Sequence, residues 1–381
     1  METMQPNLKS GRNTWDRINM PVEEFLARVK KIRQRMGERG IDVLLLYGNA
    51  YNEYGNYCYL SNYVIRLPQG AMVVVPKTGE LSVIFEGALR GVPSVKKTTW
   101  IDDIRATGDV SKECVKYLQE KNLIPSVIGV AGLKQLMPHH QYQFLLDSLP
   151  KCKIVNAAPF IHELRMIKSP MEILQIRRAS RVVVHTFDFI TSTSFMDLRE
   201  EALEAAARRE ARLEGAEDFR MMIAKPFEER WAFKPPEEKP LRSEDKVIIY
   251  LAVVFERYWA EAVRTFHLRD SSFVEIRPEE VKTLYETITE GMNAGKKVSQ
   301  FYRETMAKIK KAKFDILPDY GLGQGIGLSP KELPMIAKED RNILDQGMCL
   351  SLRLGVCDKE IGSVMVGHTI YLSRRGAEVL T

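Results

Sequence analysis

No stretch of this chain approaches the roughly 18 uninterrupted apolar residues a membrane-spanning helix needs, and the opening METMQPNLKSGRNTWDRINM lacks the apolar core of an export leader. The protein is therefore expected to be neither exported nor inserted in a membrane. Cysteine is sparse: Cys58, Cys114, Cys152, Cys349 and Cys357 form no CxxC pair, and an odd, scattered set does not look like a disulfide framework. A reducing cytoplasm is the expected compartment. There is no basic tail or stripe either, because Lys+Arg 56 against Asp+Glu 50 leaves only +6, with the two signs interleaved. Nucleic acid is a poor partner for such a surface. No internal repeat marks a solenoid. What remains, with 45% hydrophobic and 28% charged residues, is the balance of an ordinary globular protein, and at roughly 100–200 residues per domain the length predicts about two domains.

Phe25, Leu26, Val29, Ile32 and Met36 recur at helical spacing and are followed by Gly40 and the apolar run IDVLLLY, which reads as helix, cap and buried strand. Strands at GAMVVVP, LSVIFE, SVIGVA and KIVNAAP, with helices at Ser111–Lys121 and near His140–Ser148, make residues 1–160 an α/β domain. Residues 161–381 open on HELRMIKSPMEILQIRRA. There Ser169 stands as N-cap, Pro170 at the first helical position and Glu172 at the third, all favourable at a helix start. A second helix covers Leu198–Glu214. The stretch AKPFEERWAFKPPEEKPLRSED, with prolines at 226, 235, 236 and 240, can be neither helix nor central strand. KVIIYLAVVF and RYWAEAVRTFHL then read as a hairpin turning at Glu256–Arg257. Helices at Pro278–Asn293 and Val298–Ala312 precede the closing strands MCLSLRLGV and GHTIYLS.

Four segments, in order, resemble the creatinase, aminopeptidase P and prolidase family. They are LRMIKSPMEILQIRRA, the hairpin VIIYLAVVFERYWAEAVRTF, the turn GLGQGIGLSPKELP, and DQGMCLSLRLGV running through GHTIYLSRRGAEVLT. The resemblance implies a creatinase-like N-terminal α/β domain, a C-terminal α+β "pita-bread" domain, and a homodimer. Metallopeptidases of this family hold two divalent ions with two Asp, one His and two Glu, and here all five positions differ. Tyr250 and Glu261 stand for the two Asp, Gln324 for the His, and Arg353 and Gly367 for the two Glu. One carboxylate beside a guanidinium cannot offset the desolvation of two dications, so no metal and no other cofactor is expected.

The resemblance also allows metal-free chemistry, since creatinase cleaves a C–N bond with a histidine from the loop before the hairpin. Phe233 falls at that position here, and Lys331 at that of a second substrate-contacting histidine. Of the family's Thr-Arg-Thr pattern, Arg264 remains. Tyr250, Tyr258, Glu261, Gln324, Lys331 and Arg353 make a mixed donor, acceptor and charged set, which is what a small polar ligand needs. The function expected is thus metal-independent hydrolysis or elimination of a C–N or related bond in a small, carboxylate-bearing compound. Glu261 would be the base, Tyr250 or Tyr258 the acid, Arg353 and Lys331 the anion holders. A second class stays open, a non-catalytic binding module of the same fold.

Alternatives also stay open residue by residue. Glu261 is either a general base or a purely structural ion-pair partner. His368, beside the altered Gly367, is either a ligand contact or a hydrogen-bonded structural histidine, and Lys331 either holds an anion or is a solvated loop residue. His139, His140, His162, His185 and His267 have no sequence partners and read as structural or surface residues. GLGQGIG is followed by no GK[ST], so it is a turn rather than a phosphate loop. In this family the segment matching YGNAYNEYGNYCYLSNYVIRLPQG lies near the dimer partner's active site. It is either a substrate lid into which Arg66 reaches or a tyrosine-rich dimer contact.

Overall fold

The computed structural model describes residues 14–49, 54–65, 69–194, 198–226, 232–317 and 320–381. They form two compact units, Met1–Arg165 and Met166–Thr381. The first contains, in chain order, α1 (Val22–Glu38), β1 (Val43–Asn49), α2 (Gly55–Ser61), β2 (Gly70–Pro76), β3 (Ser82–Glu86), α3 (Val92–Lys96), β4 (Asp103–Thr107), α4 (Val110–Glu120), β5 (Val127–Ala131), α5 (His139–Ser148), β6 (Lys153–Asn156) and α6 (Ala158–Met166). Its six strands lie in the order β4-β3-β2-β1-β5-β6. The β1–β2 and β2–β3 pairs are antiparallel, and the β1–β5, β5–β6 and β3–β4 pairs are parallel. The strand expected over KIVNAAP stops at Asn156, whose side chain accepts from the Ala158 N–H at 3.2 Å. With Pro159 behind it, this begins a helix instead.

The second unit contains α7 (Pro170–Ser192), α8 (Glu200–Leu213), β7 (Asp218–Ala224), β8 (Lys246–Phe255), β9 (Tyr258–Arg269), β10 (Ser272–Glu275), α9 (Glu279–Glu290), α10 (Val298–Lys311), β11 (Asp315–Ile316), β12 (Gly323–Gly325), β13 (Glu332–Met335), β14 (Cys349–Asp358), β15 (Gly362–Ser373) and β16 (Gly376–Val379). A capping box starts α7: Ser169 Oγ accepts from Glu172 N at 3.2 Å, and Glu172 Oε2 accepts from Ser169 N at 3.0 Å. The path through the sheet is β13-β12-β14-β15-β9-β8-β7. At the β8–β9 turn Glu256 and Arg257 both take left-handed φ, 43° and 73°. Hairpins reserve such positions for Asn-Gly pairs; here the fully buried Arg257 guanidinium ties the turn down by pairing with Glu217 at 3.1 Å and with Glu256.

Side chains alternate across a strand, so register decides which residues share a face. On one face Phe219, Met221, Ile249, Leu251, Ala260, Ala262 and Phe266 pack with Phe187 and Ile190 of α7 and Leu203 and Ala207 of α8. Leu350, Leu352, Leu354 and Ile370 pack on the same side with Leu284 and Ile288 of α9 and Phe301 of α10. The other face carries a smaller cluster, Ala224, Ile248, Val263 and Met365, with Phe233, Tyr250 and Tyr320 against it. That face holds the polar set described next.

Candidate functional site

Two rows cross this second face. Arg220 is opposite Ala252 and Ala252 opposite Glu261; Thr369 is opposite Ser351 and Ser351 opposite Gln324. The halves meet where Thr369 Oγ1 bonds both the N–H and the C=O of Glu261, each at 2.9 Å. One residue pair along lie Met222, Tyr250, Val263, Gly367 and Arg353, successive partners from β7 to β14. All five positions that the resemblance marked, Tyr250, Glu261, Gln324, Arg353 and Gly367, therefore share one face.

Glu261 is the centre of this set and is only 2% exposed. Its Oε2 accepts from the Tyr250 hydroxyl at 2.8 Å, and its Oε1 accepts from the Ser351 hydroxyl. The Arg353 Nε lies 3.7 Å from Oε1, close enough for charge attraction but too far for a hydrogen bond. That Nε is buried without a partner, while an Nη of the same guanidinium donates to Gln324 Oε1. Gln324 is held in turn by donating to the Pro330 carbonyl at 3.1 Å. Burial first and the Glu261 carboxylate second push the Tyr250 phenol well above its ordinary pKa, against a smaller opposing pull from Arg353 and Arg220. Tyr250 is thus a standing hydrogen-bond donor to the carboxylate. Phe233 tilts against its ring at 6.0 Å and meets Tyr320 edge-on at 5.2 Å.

Tyr258, Arg264 and His368 are not brought to Glu261. Tyr258 and Arg264 sit three residues to either side of it on β9, so alternation turns both to the helix-packed face. The Tyr258 hydroxyl donates to Glu172 at 3.1 Å, and the Arg264 guanidinium lies over Phe187 at 4.5 Å with Glu275 at 3.7 Å. His368, opposite Leu352 and Ala262, also points to that face, edge-on to Tyr285 at 5.4 Å. Burial, then the cations Arg277 and Arg264, hold its imidazole down to about 4. Lys331 is exposed. Arg66 lies outside the described residues. Sequence reasoning missed Ser351, although its position two residues before Arg353 on one strand placed it on the same face. It also missed Arg220, because β7 was not recognised as a strand.

The chain belongs to metallopeptidase family M24, whose model matches residues 175–374, preceded by a creatinase/prolidase N-terminal domain over residues 28–167. The second unit is the family's pita-bread domain. Among its relatives, an Xaa-Pro dipeptidase of Pyrococcus horikoshii is 24% identical over 372 residues, 93% of this chain and 96% of its own. An ectoine hydrolase of Halomonas elongata is 23% identical over 406 residues, 95% of this chain and 97% of its own. The crystal structure of an X-Pro aminopeptidase from Thermotoga maritima matches with a TM-score of 0.76 at 17% identity, covering 93% of this chain and 97% of that one.

The family name implies a metal, and the residues present do not fit one. A hard dication takes several oxygen or imidazole donors. Among the described residues no group of three or more His, Cys, Asp or Glu side chains is placed so that it could hold a metal ion. At the marked positions there is one carboxylate, both of whose oxygens already accept from hydroxyl groups, and a guanidinium stands where an anionic ligand would be needed.

Proposed function

We propose that this chain is a metal-independent enzyme that hydrolyses a C–N bond in a small, carboxylate-bearing compound bound on the Glu261 face. One observation carries the reading: a single buried carboxylate is oriented by the Tyr250 and Ser351 hydroxyls, with a guanidinium 3.7 Å away whose Nε has no partner. Such an arrangement suits general-base chemistry, in which the base is fixed in place and a neighbouring cation holds the substrate anion. Glu261 takes a proton from water, the water oxygen bonds to the carbon, the C–N bond breaks, and the proton passes to the leaving nitrogen. Tyr250 and Ser351 keep the carboxylate oriented, and Arg353, braced by Gln324, holds the substrate carboxylate. Phe233 and Tyr320 supply the apolar wall.

Support also comes from the relatives, which include a hydrolase named for ectoine beside the dipeptidases. A cytoplasmic location, supported by five free thiols, belongs to the same reading, as does a homodimer, which sedimentation at micromolar concentration tests. So does the division into domains 1–160 and 161–381, which limited proteolysis tests.

The deciding experiment is a thermal-shift screen of amino acids, guanidino compounds, betaines and dipeptides, because a ligand bound only by the folded state raises the melting point by mass action. Hits are then followed by NMR for release of the amine. A carboxylate-bearing hit that is consumed, with turnover abolished in Glu261→Gln, is the expected result. A hit that binds and is never consumed favours the binding-module reading instead.

A further inference from the structure

Glu261 and Arg353 stand on opposite sides of a seam in the sheet. Arg353 and Ser351 are carried by β14, which pairs with β15 along its whole length, from Cys349–Tyr371 to Asp358–Gly362. Glu261 is carried by β9, which pairs over most of its length with β8, from Lys246–His267 to Phe255–Tyr258. Among the described residues, β9 and β15 pair directly only at Val263–Gly367 and Ala262–His368. The separation of the carboxylate from the guanidinium is therefore set across this short ladder.

A threonine hydroxyl prolongs the ladder at each end. Continuing its register brings Glu261 beside Thr369 and Thr265 beside Met365. The Thr369 hydroxyl accepts from Glu261 N and donates to Glu261 O, each at 2.9 Å; the Thr265 hydroxyl accepts from Met365 N at 3.0 Å and donates to Met365 O at 2.9 Å. The threonines' own backbone groups are engaged elsewhere: Leu380 N donates to Thr369 O at 2.9 Å, Thr369 N to the Thr381 hydroxyl at 3.0 Å, and Ile276 N to Thr265 O at 2.8 Å. Buried backbone groups need partners, and one hydroxyl, donor and acceptor at once, serves both of Glu261's. The Thr381 hydroxyl adds a longer bond to the same carbonyl, at 3.3 Å. The two ends differ in what they fix. Thr265 holds Met365, part of the apolar cluster on this face, whereas Thr369 holds the residue that carries the carboxylate. Tyr250 and Ser351 grip the tip of the Glu261 side chain, and a tip can follow by rotation when its strand moves. The backbone has no such freedom, so the Thr369 hydroxyl decides where that side chain starts.

We infer that Thr369 is a positioning residue, whose hydroxyl sets the place of Glu261 relative to Arg353 by joining the two halves of the sheet at the base itself. This rests on the proposed function in giving Glu261 and Arg353 their roles, but the placement is measurable without any substrate.

The test compares Thr369→Val with Thr265→Val in the full chain. Each removes one hydroxyl bridge from one end of the same ladder, so a role in stability alone affects the two alike. The readouts are two NMR signals from protein labelled at arginine and glutamate. One is the Arg353 Nε–H, a buried group without a partner, identified by its loss in Arg353→Met; the other is the Glu261 carboxylate carbon, identified by its loss in Glu261→Gln. Thr369→Val should shift both signals by more than their linewidths, Thr265→Val should leave both in place, and Thr369→Ser, which keeps the hydroxyl, should return them to their parental positions. If Thr369→Val does not fold, Thr381→Val takes its place, with a smaller shift of the same two signals expected. Signals that stay in place without the bridging hydroxyl, equal shifts in Thr265→Val, or a folded Thr369→Ser that fails to restore them overturns the inference. The two readings fail separately. If no carboxylate is ever consumed but the signals move as expected, the hydrolase is lost and the positioning role stands. Turnover that depends on Glu261, in a protein whose signals ignore Thr369→Val, does the reverse.

Discussion

Arg353 occupies the space that Gly367 leaves empty: a Cβ built on Gly367 would stand 2.8 Å from Arg353 Cγ, and 3.3 Å from both the Leu352 carbonyl and Val263 Cγ2. The two residues are direct partners on β14 and β15. Both occupy positions where the resemblance implied acidic ligands, so the change at one accommodates the change at the other. Without a side chain at 367, the arginine can cross β15 and reach Glu261.

Gly367→Ala should therefore displace Arg353 as well as crowd the strand pair. We expect a loss of about 1–3 kcal/mol in stability, the usual cost of overpacking, together with weaker binding of carboxylate ligands. Urea unfolding and calorimetry measure the two effects. An alanine variant of unchanged stability and affinity would show that Arg353 does not depend on the gap.

The Arg353–Glu261 pair is tested by a double-mutant cycle. Removing a partner of a buried charge costs several kcal/mol when nothing else satisfies it, but Glu261 keeps two hydroxyl donors. We expect Arg353→Met to cost about 1–2 kcal/mol and the double variant with Glu261→Gln to recover part of that, giving a coupling near 1 kcal/mol. Strict additivity would mean that the two charges do not interact.

His368 predicts a pH dependence. Its folded-state value of about 4 lies below the ordinary value of 6.5, so above pH 6.5 both states are neutral and the full stability is present. As pH falls from 6.5 towards 4 the unfolded chain takes up a proton that the folded chain refuses, and about 3 kcal/mol is lost across that window. His368→Gln should remove this part of the acid sensitivity. A variant with the same pH–stability curve as the parent would refute the assignment.

Chelation should leave melting point and turnover unchanged, and elemental analysis of the purified protein should find no stoichiometric transition metal. One or more Zn, Mn, Fe or Co ions per chain, lost together with activity, would overturn the metal-independent reading.

Much of the fold was legible locally. The helix start at Ser169 and Glu172, the Glu256–Arg257 turn and the order of four motifs were enough to set out the second unit, because caps, turns and strand runs are decided by neighbours in sequence; Glu261, Gln324 and Arg353 were singled out by the family resemblance, as the positions where it implies metal ligands. Part of the candidate site could also have been read there. Tyr258 and Arg264 are each three residues from Glu261 on one strand, and His368 is one residue from Gly367, so alternation alone sends them to the other face. Only the tertiary structure decided the rest. Row membership depends on register between strands far apart in sequence, which is set by the hydrophobic face each strand buries and by the turns that join them. It is register that places Arg220 in line with Glu261, seats Ser351 against its carboxylate, and lets an arginine from β14 lie across a glycine of β15.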